Sequence, residues 1–398
     1  MKYASTRAQA PAVSLAAAIA SGPAPDGGLY VPEAVPRLDF DALDPAMPLA
    51  GFAAAMLAPY FDGDPLAAAL PAIAAESLDF EAPLREDAPG EFVLELFHGP
   101  TAAFKDYGAR FLAQCVQRLD PGAPRTVLVA TSGDTGSAVA AAFHRLPGFR
   151  VVVLYPDGRV SARQAHQLGA FGDNVTALRV DGSFDDCQRL ARQAFADDAL
   201  RSRAPLLSAN SISLGRLLPQ ATWFAQAALR HARAHAERLS FAIPSGNLGH
   251  ATACLLARAM GAPIARIALA TNANRWVEDW LEHGEARPRA SIATLANAMD
   301  VGDPSNAERL RAMFPAPADR ARAFIADSVD DAAIRGRIEA SAAAGRIACP
   351  HTACALELVA RRRAHGDAAP WCAVATAHPA KFETVVEPII GRAVPVPP

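Results

Sequence analysis

At 398 residues the chain exceeds what one hydrophobic core ordinarily organises, so two or three lobes with a cleft between them are expected. Its 51% hydrophobic and 20% charged residues exclude a disordered chain, and 38 Lys plus Arg against 41 Asp plus Glu, a net charge of -3, leave no cationic footprint for nucleic acid or an anionic membrane. None of the six cysteines forms a C-x-x-C pair, so no metal is expected, the thiols read as buried and reduced, and the expected partner is a small molecule.

In chain order, Lys2 and Arg7 precede the apolar run Val13 to Ala20, a superficial likeness to a secretory leader. The run is short, mostly Ala, and ended by Ser21-Gly22-Pro23, so it reads as a helix and the location as cytoplasmic. Residues 1–88 read as a helical N-terminal region, with Val13 to Ala20 and Pro65 to Ala75 separated by the turn Pro25-Asp26-Gly27-Gly28. From Glu91 onward, strands at Phe92–Leu94, Val127–Val129, Val151–Leu154, Phe241–Ile243, Ile267–Leu269 and Ala373–Val374 alternate with helical patterns. That alternation predicts α/β architecture with largely parallel sheets. Tyr107, Phe111, Leu112, Cys115, Val116 and Leu119 recur at helical spacing against Arg110, Gln114, Gln117 and Arg118, so a helix begins just after Lys105. The tail Val394 to Pro398 reads as a frayed end.

Two glycine-rich loops follow predicted strands and open predicted helices, an arrangement that offers backbone N–H groups and a helix dipole to an anion. They are Thr131-Ser132-Gly133-Asp134-Thr135-Gly136-Ser137 and Pro244-Ser245-Gly246-Asn247-Leu248-Gly249-His250. Neither fits a Walker or dinucleotide pattern, and either alone could be an ordinary turn; the two together suggest a ligand with two anionic groups. A third element, His98-Gly99-Pro100-Thr101-Ala102-Ala103-Phe104-Lys105-Asp106-Tyr107, sets a lysine between a Pro/Gly turn and a helix. Lysine is scarce in this arginine-rich chain, which invites a nucleophilic reading because an amine can form an imine; a surface lysine is the plain alternative.

His98 to Phe111 resembles the lysine signature of the threonine synthase family, whose cofactor is pyridoxal 5'-phosphate. Thr131 to Ser137 resembles that family's S-G-D-T-G loop, Pro244 to Gly249 its P-[ST]-G-N-x-G phosphate loop, and Thr376 to Phe382 its T-A-H-P-A-K-F segment. Tyr3 to Arg7 with Asp26 to Pro32, Asn210 to Arg216, Asn297 to Asp300, and Pro350-His351-Thr352 follow in the family's order, so the resemblance spans almost the whole chain. It implies a fold type II pyridoxal-phosphate enzyme, like the tryptophan synthase β-subunit, with two α/β lobes and a helical N-terminal region. The lobes are expected as 89–123 with 213–398, binding the cofactor, and a small mobile domain at 124–212.

The resemblance further implies that Lys105 holds the cofactor as an imine and moves protons, and that Gly246, Asn247, Leu248, Gly249 and His250 cradle its phosphate through backbone N–H groups. Thr376 would meet the pyridine nitrogen. Ser132, Asp134, Thr135 and Ser137 would face the substrate carboxylate and the cofactor's 3'-oxygen, Asn247 serving the substrate as well. Beside two anions, Asp134 is expected to accept backbone N–H groups or hold a proton. Ser211, Ser213 and Arg216 correspond to a phosphate-recognising S-x-N-x-x-R, Arg216 suiting bidentate contact. This sequence departs from the family at Ser213, where Asn is usual, at His250, where Asn or Asp is common, and at Ala8, where Gly is usual.

The implied reaction converts O-phospho-L-homoserine and water to L-threonine and phosphate. A related threonine/serine dehydratase or phospho-lyase, and a catalytically silent homologue that binds the cofactor or an amino acid, remain as alternatives; monomer and homodimer are both compatible. His98, His351 and His378 read as structural hydrogen-bonding residues, Asp106 with Arg110 as a supporting pair, and Trp276, Trp280 and Trp371 as core.

Overall fold

The computed structural model describes residues 1–120, 124–131, 133–158 and 160–397. Among them the strands run as β1 Tyr3–Ser5, β2 Tyr30–Pro32, β3 Leu84–Ala88, β4 Glu91–Glu95, β5 Arg125–Ala130, β6 Phe149–Pro156, β7 Val175–Val180, β8 Leu206–Ser208, β9 Leu239–Pro244, β10 Ile264–Thr271, β11 Ile325–Ser328 and β12 Trp371–Ala375. The chain divides into two compact units, one of residues 1–33, 57–79 and 99–219, the other of residues 34–56, 80–98 and 220–398.

The first unit holds a parallel sheet in the order β7-β6-β5-β8 and the antiparallel ribbon β1-β2. Val127 to Ala130 and Val151 to Leu154 are nearly continuous apolar runs, as strands buried between helices require. Leu128, Ala130 and Leu154 pack with Cys187 and Ala191 of the helix Phe184–Ala196. The ribbon is pinned by Asp26, which accepts from the Ser5 hydroxyl at 2.7 Å and from the Gly28 N–H at 2.9 Å. Ala8, beside the ribbon, sits at φ 55°, a left-handed position that a glycine adopts without strain, which accounts for glycine being usual there.

The second unit is built on a six-stranded sheet, β11-β10-β9-β12-β4-β3, parallel except for the edge pair β3-β4. Strand β3 falls in a stretch expected to be helical: Arg85, Glu86 and Asp87 leave no apolar alternation, because an exposed edge strand buries little. The expected frayed tail is tied at its start, where Val394 is buried and its N–H donates to Glu387 at 3.0 Å. All six cysteines are free and buried. Among the described residues no helix is long and apolar enough to cross a membrane, and no cluster of three His, Cys, Asp or Glu could hold a metal.

In both units the motif residues lie just past the carboxyl ends of parallel strands, where open α/β sheets place their ligands. Thr131 follows β5 in the first unit; Ser245 follows β9 and Thr376 follows β12 in the second.

Candidate active site

In the first unit, helix α1 (Lys105–Leu119) opens on the lysine itself. The Lys105 side chain is 14% exposed, its Nζ 3.8 Å from Asp134 Oδ2 and 5.7 Å from the centre of the Phe104 ring. Asp106 turns inward rather than toward solvent: it is fully buried and accepts from the Thr101 hydroxyl at 2.6 Å and the Thr101 N–H at 3.0 Å. Arg110 reaches the Glu76 carbonyl at 2.7 Å and Asp79 at 2.9 Å. Asp106 therefore holds the turn that presents Lys105.

Helix α2 (Asp134–Phe143) begins at Asp134, which is buried at the end of β5. Its Oδ1 accepts from Gln164 Nε2 at 3.0 Å while Oδ2 faces Lys105, so a cationic amine supplies compensation that the loop sequence did not reveal. Thr131 organises the turn, its hydroxyl accepting from the N–H groups of Gly133 at 3.0 Å and Gly136 at 2.9 Å. Thr135 is half-buried, whereas Ser137 is fully buried with its hydroxyl turned back to the Gly133 carbonyl at 3.4 Å. Ser132 lies outside the described residues.

Ser213 caps the short helix Leu214–Leu217, which carries Arg216. Arg216 is 2% exposed, donates to the Ala209 carbonyl, and packs against α1 at Gly108, where an added Cβ would lie 2.7 Å from the Arg216 carbonyl oxygen. Burial pushes its pKa down to about 10, against the opposing pull of the Asp106 charge. The Ser213 hydroxyl is buried and has no hydrogen-bond partner among the described residues. Ser211 is half-buried in the same segment.

In the second unit, Leu248 adopts the left-handed region (φ 63°) and delivers the chain into helix α3, Gly249–Met260. Its buried side chain holds this strained turn in place. The N–H groups of Gly246, Leu248, Gly249 and Ala251 make no hydrogen bond among the described residues, a row of donors at a helix start. Behind them the loop is braced: the Ser305 N–H donates to Asn247 Oδ1 at 2.6 Å, Asn306 Nδ2 to the Asn247 carbonyl at 3.0 Å, and buried Arg309 to Asn306 at 2.6 Å. A Cβ on Gly246 would lie 2.7 Å from Met299 Cα, and the Ala298 N–H beside it donates to His351 Nε2 at 3.1 Å. Since backbone cannot yield as a side-chain tip does, Gly246→Ala is expected to cost about 1–3 kcal/mol and weaken cofactor retention about tenfold or more. Thermal unfolding and cofactor titration of the variant check this.

The imidazole of His250 is turned into the core, where Trp223 Nε1 donates to its Nε2 at 3.2 Å and Phe224 packs beside it. An indole N–H only donates, so His250 Nε2 is the acceptor of this bond. Thr376 is buried, and its hydroxyl makes no hydrogen bond among the described residues. His98 pairs with Glu95 at 3.0 Å and His378 Nδ1 accepts from the Ala380 N–H at 3.2 Å, both structural contacts. Trp276, Trp280 and Trp371 are core residues.

Burial alone would raise the Glu95 pKa, but hydrogen bonds from His98, Arg85 and Arg346 outweigh it and hold it at about 2, below its ordinary 4.5. A depressed carboxylate contributes stability above its unfolded pKa and loses it as pH falls from about 4.5 toward about 2. Glu95→Gln is expected to lose on the order of 2 kcal/mol at neutral pH and to flatten that acid slope. Denaturant unfolding as a function of pH reads both effects.

Residues 84–377 match the family model of pyridoxal-phosphate dependent enzymes, which with the parallel sheets and the lysine defines the class: a fold type II enzyme with pyridoxal phosphate as cofactor. Residues 2–78 match the model of the threonine synthase N terminus. Threonine synthase of Serratia marcescens is 37% identical over 387 residues, covering 97% of this chain and 90% of its own. The crystal structure of threonine synthase from Escherichia coli superposes with a TM-score of 0.93 at 36% identity, covering all of this chain and 93% of that one. A pyridoxal-phosphate-bound threonine synthase from Brucella melitensis gives 0.91 at 34% identity, with the same coverage. The chain belongs to the threonine synthase family. It is a lyase-type enzyme acting on a small molecule.

The residues fit the cofactor. The donor row from Gly246 to Ala251 suits a phosphate, the Thr376 hydroxyl suits a ring nitrogen, and Lys105 supplies the primary amine. Sequence reasoning missed Gln164, Asn306 and Arg309. Ser161-Ala162-Arg163-Gln164 was legible as a capping box, but no local pattern announces a contact with Asp134, 30 residues away.

Proposed function

We propose that this enzyme takes O-phospho-L-homoserine as its substrate, releasing L-threonine and inorganic phosphate, with Lys105 as its catalytic amine. The observation that carries the reading is the packing, within one unit, of a buried arginine beneath the same helix whose first residue is the lysine. Arg216, with Ser211 and Ser213, binds the substrate phosphate; the buried Ser213 hydroxyl offers a donor there. Thr135 faces the substrate carboxylate, Ser137 closes its turn, and Asp134 keeps the amine in place.

Pyridoxal phosphate, when bound, supplies the electron sink that makes the protons on Cα and Cβ labile. Lys105 Nζ takes the proton from Cα and hands it on before it takes one from Cβ; phosphate leaves from Cγ, the amine returns a proton to Cγ, water adds as hydroxyl at Cβ with its other proton passing to the released phosphate, and a proton returns to Cα. Gly246, Leu248, Gly249 and the backbone of Asn247 and His250 would hold the cofactor phosphate, and the Thr376 hydroxyl would serve the ring nitrogen. A hydroxyl cannot hold full positive charge on that nitrogen, which favours β,γ chemistry. Residues 124–212, carrying β5 to β8, act as the small domain that excludes bulk water during turnover.

The balanced charge and the lack of a basic stripe support a cytoplasmic enzyme with no nucleic-acid or membrane partner, active as monomer or homodimer. The test of the substrate is spectral titration of the holoenzyme. O-phospho-L-homoserine should perturb the cofactor absorbance at concentrations at least about a hundredfold below L-homoserine, as a lost charge-assisted contact requires. Equal responses would remove the phosphate from the recognition.

A further inference from the structure

We propose that the helix Ala162–Gly169, capped by Ser161, positions the reactive amine, with Gln164 holding Asp134 against Lys105 and Gln167 steadying the turn behind it. This rests on Lys105 being the reactive amine. Gln164 is buried and both ends of its amide are committed. Nε2 donates to Asp134 Oδ1 at 3.0 Å and Oε1 accepts from the Ser161 N–H at 3.2 Å, so the amide has one orientation. Glycine at 133 permits the approach: at φ 139° it takes a conformation open to glycine, and a Cβ there would lie 2.5 Å from Gln164 Nε2. One turn along, Gln167 Nε2 donates to the Thr101 carbonyl at 3.4 Å, and Thr101 holds Asp106 beside Lys105. One short helix thus touches both segments that present the reactive groups.

The consequence is electrostatic. A carboxylate terminus turns easily about its last bond, and Asp134 has one oxygen to offer the amine only while the other is held. A donor on Oδ1 also favours the ionised carboxylate, and an ionised carboxylate 3.8 Å away favours positive charge at the lysine nitrogen. Lys105 from the start of α1 is a charged side chain set against Asp134, and Gln164 is a neutral donor on its other oxygen. Gln164 is therefore a positioning residue acting through Asp134.

The test is the pH titration of the visible absorbance of the lysine–cofactor link in the holoenzyme, read beside thermal unfolding. Asp134→Asn should move the titration midpoint down by about one pH unit, and Gln164→Met in the same direction by about half a unit. The double variant should move it no further than Asp134→Asn alone, because the two act through one carboxylate. A Gln164→Met midpoint at the wild-type value with lowered thermal stability, or shifts that add in the double variant, would overturn the proposal. If Gln164→Met does not fold, Gln164→Asn keeps the amide one carbon short of Asp134; a lowered midpoint supports the role and an unmoved one overturns it. Lys105→Ala separates the underlying assumption, since a visible link that survives in that variant means another amine holds the cofactor.

Discussion

Lys105→Ala is expected to abolish turnover, lowering kcat by about 10⁴-fold or more while leaving the fold intact. General acid–base transfer by a positioned group contributes roughly 10²–10⁴-fold, and covalent attachment of the cofactor is lost with it. The substitution removes one end of the Lys105–Asp134 pair, but Lys105 is the first residue of α1 and its side chain keeps some exposure, so the helix and core survive. Phosphate release by cofactor-saturated protein, with thermal unfolding alongside, measures both parts. Activity within about tenfold of wild type would mean that the amine is not the base.

The second large effect is at Arg216, where charge and geometry must be separated. Arg216→Ala empties a buried site and removes the cation whose charge acts on buried Asp106, so that variant confounds stability with recognition. Arg216→Lys keeps the charge and loses the planar fork. It should lower kcat/KM for O-phospho-L-homoserine by about 10²-fold, about 3 kcal/mol, with the larger part in KM, while unfolding shifts less than for alanine. Steady-state kinetics checks the division between KM and kcat. A dehydratase-like enzyme that does not read the phosphate would show little change in either.

Much of this was legible in the sequence, and for identifiable reasons. The six expected strands were found because buried parallel strands write themselves as apolar runs, as at Val151 to Leu154. The start of α1 at Lys105 was legible from the helical spacing of Tyr107, Phe111 and Cys115. Strand β3 was hidden because Arg85, Glu86 and Asp87 lie on an exposed edge, and β1 and β2 because three residues carry no period. The loops could be seen as anion sites, but their braces could not. Gln164 to Asp134, Asn306 to Asn247 and His351 to Ala298 join residues 30 to 59 positions apart, and long-range hydrogen bonds leave no local pattern. Asp106 was read with Arg110 as a supporting pair because four-residue spacing suggests it; that Thr101 also holds it in the interior left no such local pattern.

The central claim is that this chain turns a phosphorylated homoserine into threonine with Lys105 as its amine. It is tested most directly by a coupled assay of purified, cofactor-loaded protein with O-phospho-L-homoserine, following inorganic phosphate and threonine together, with Lys105→Ala as control. Equal amounts of phosphate and threonine, both lost in the variant, are the expected result. Phosphate accompanied by 2-oxobutyrate in place of threonine, or product formation that survives in Lys105→Ala, would contradict it.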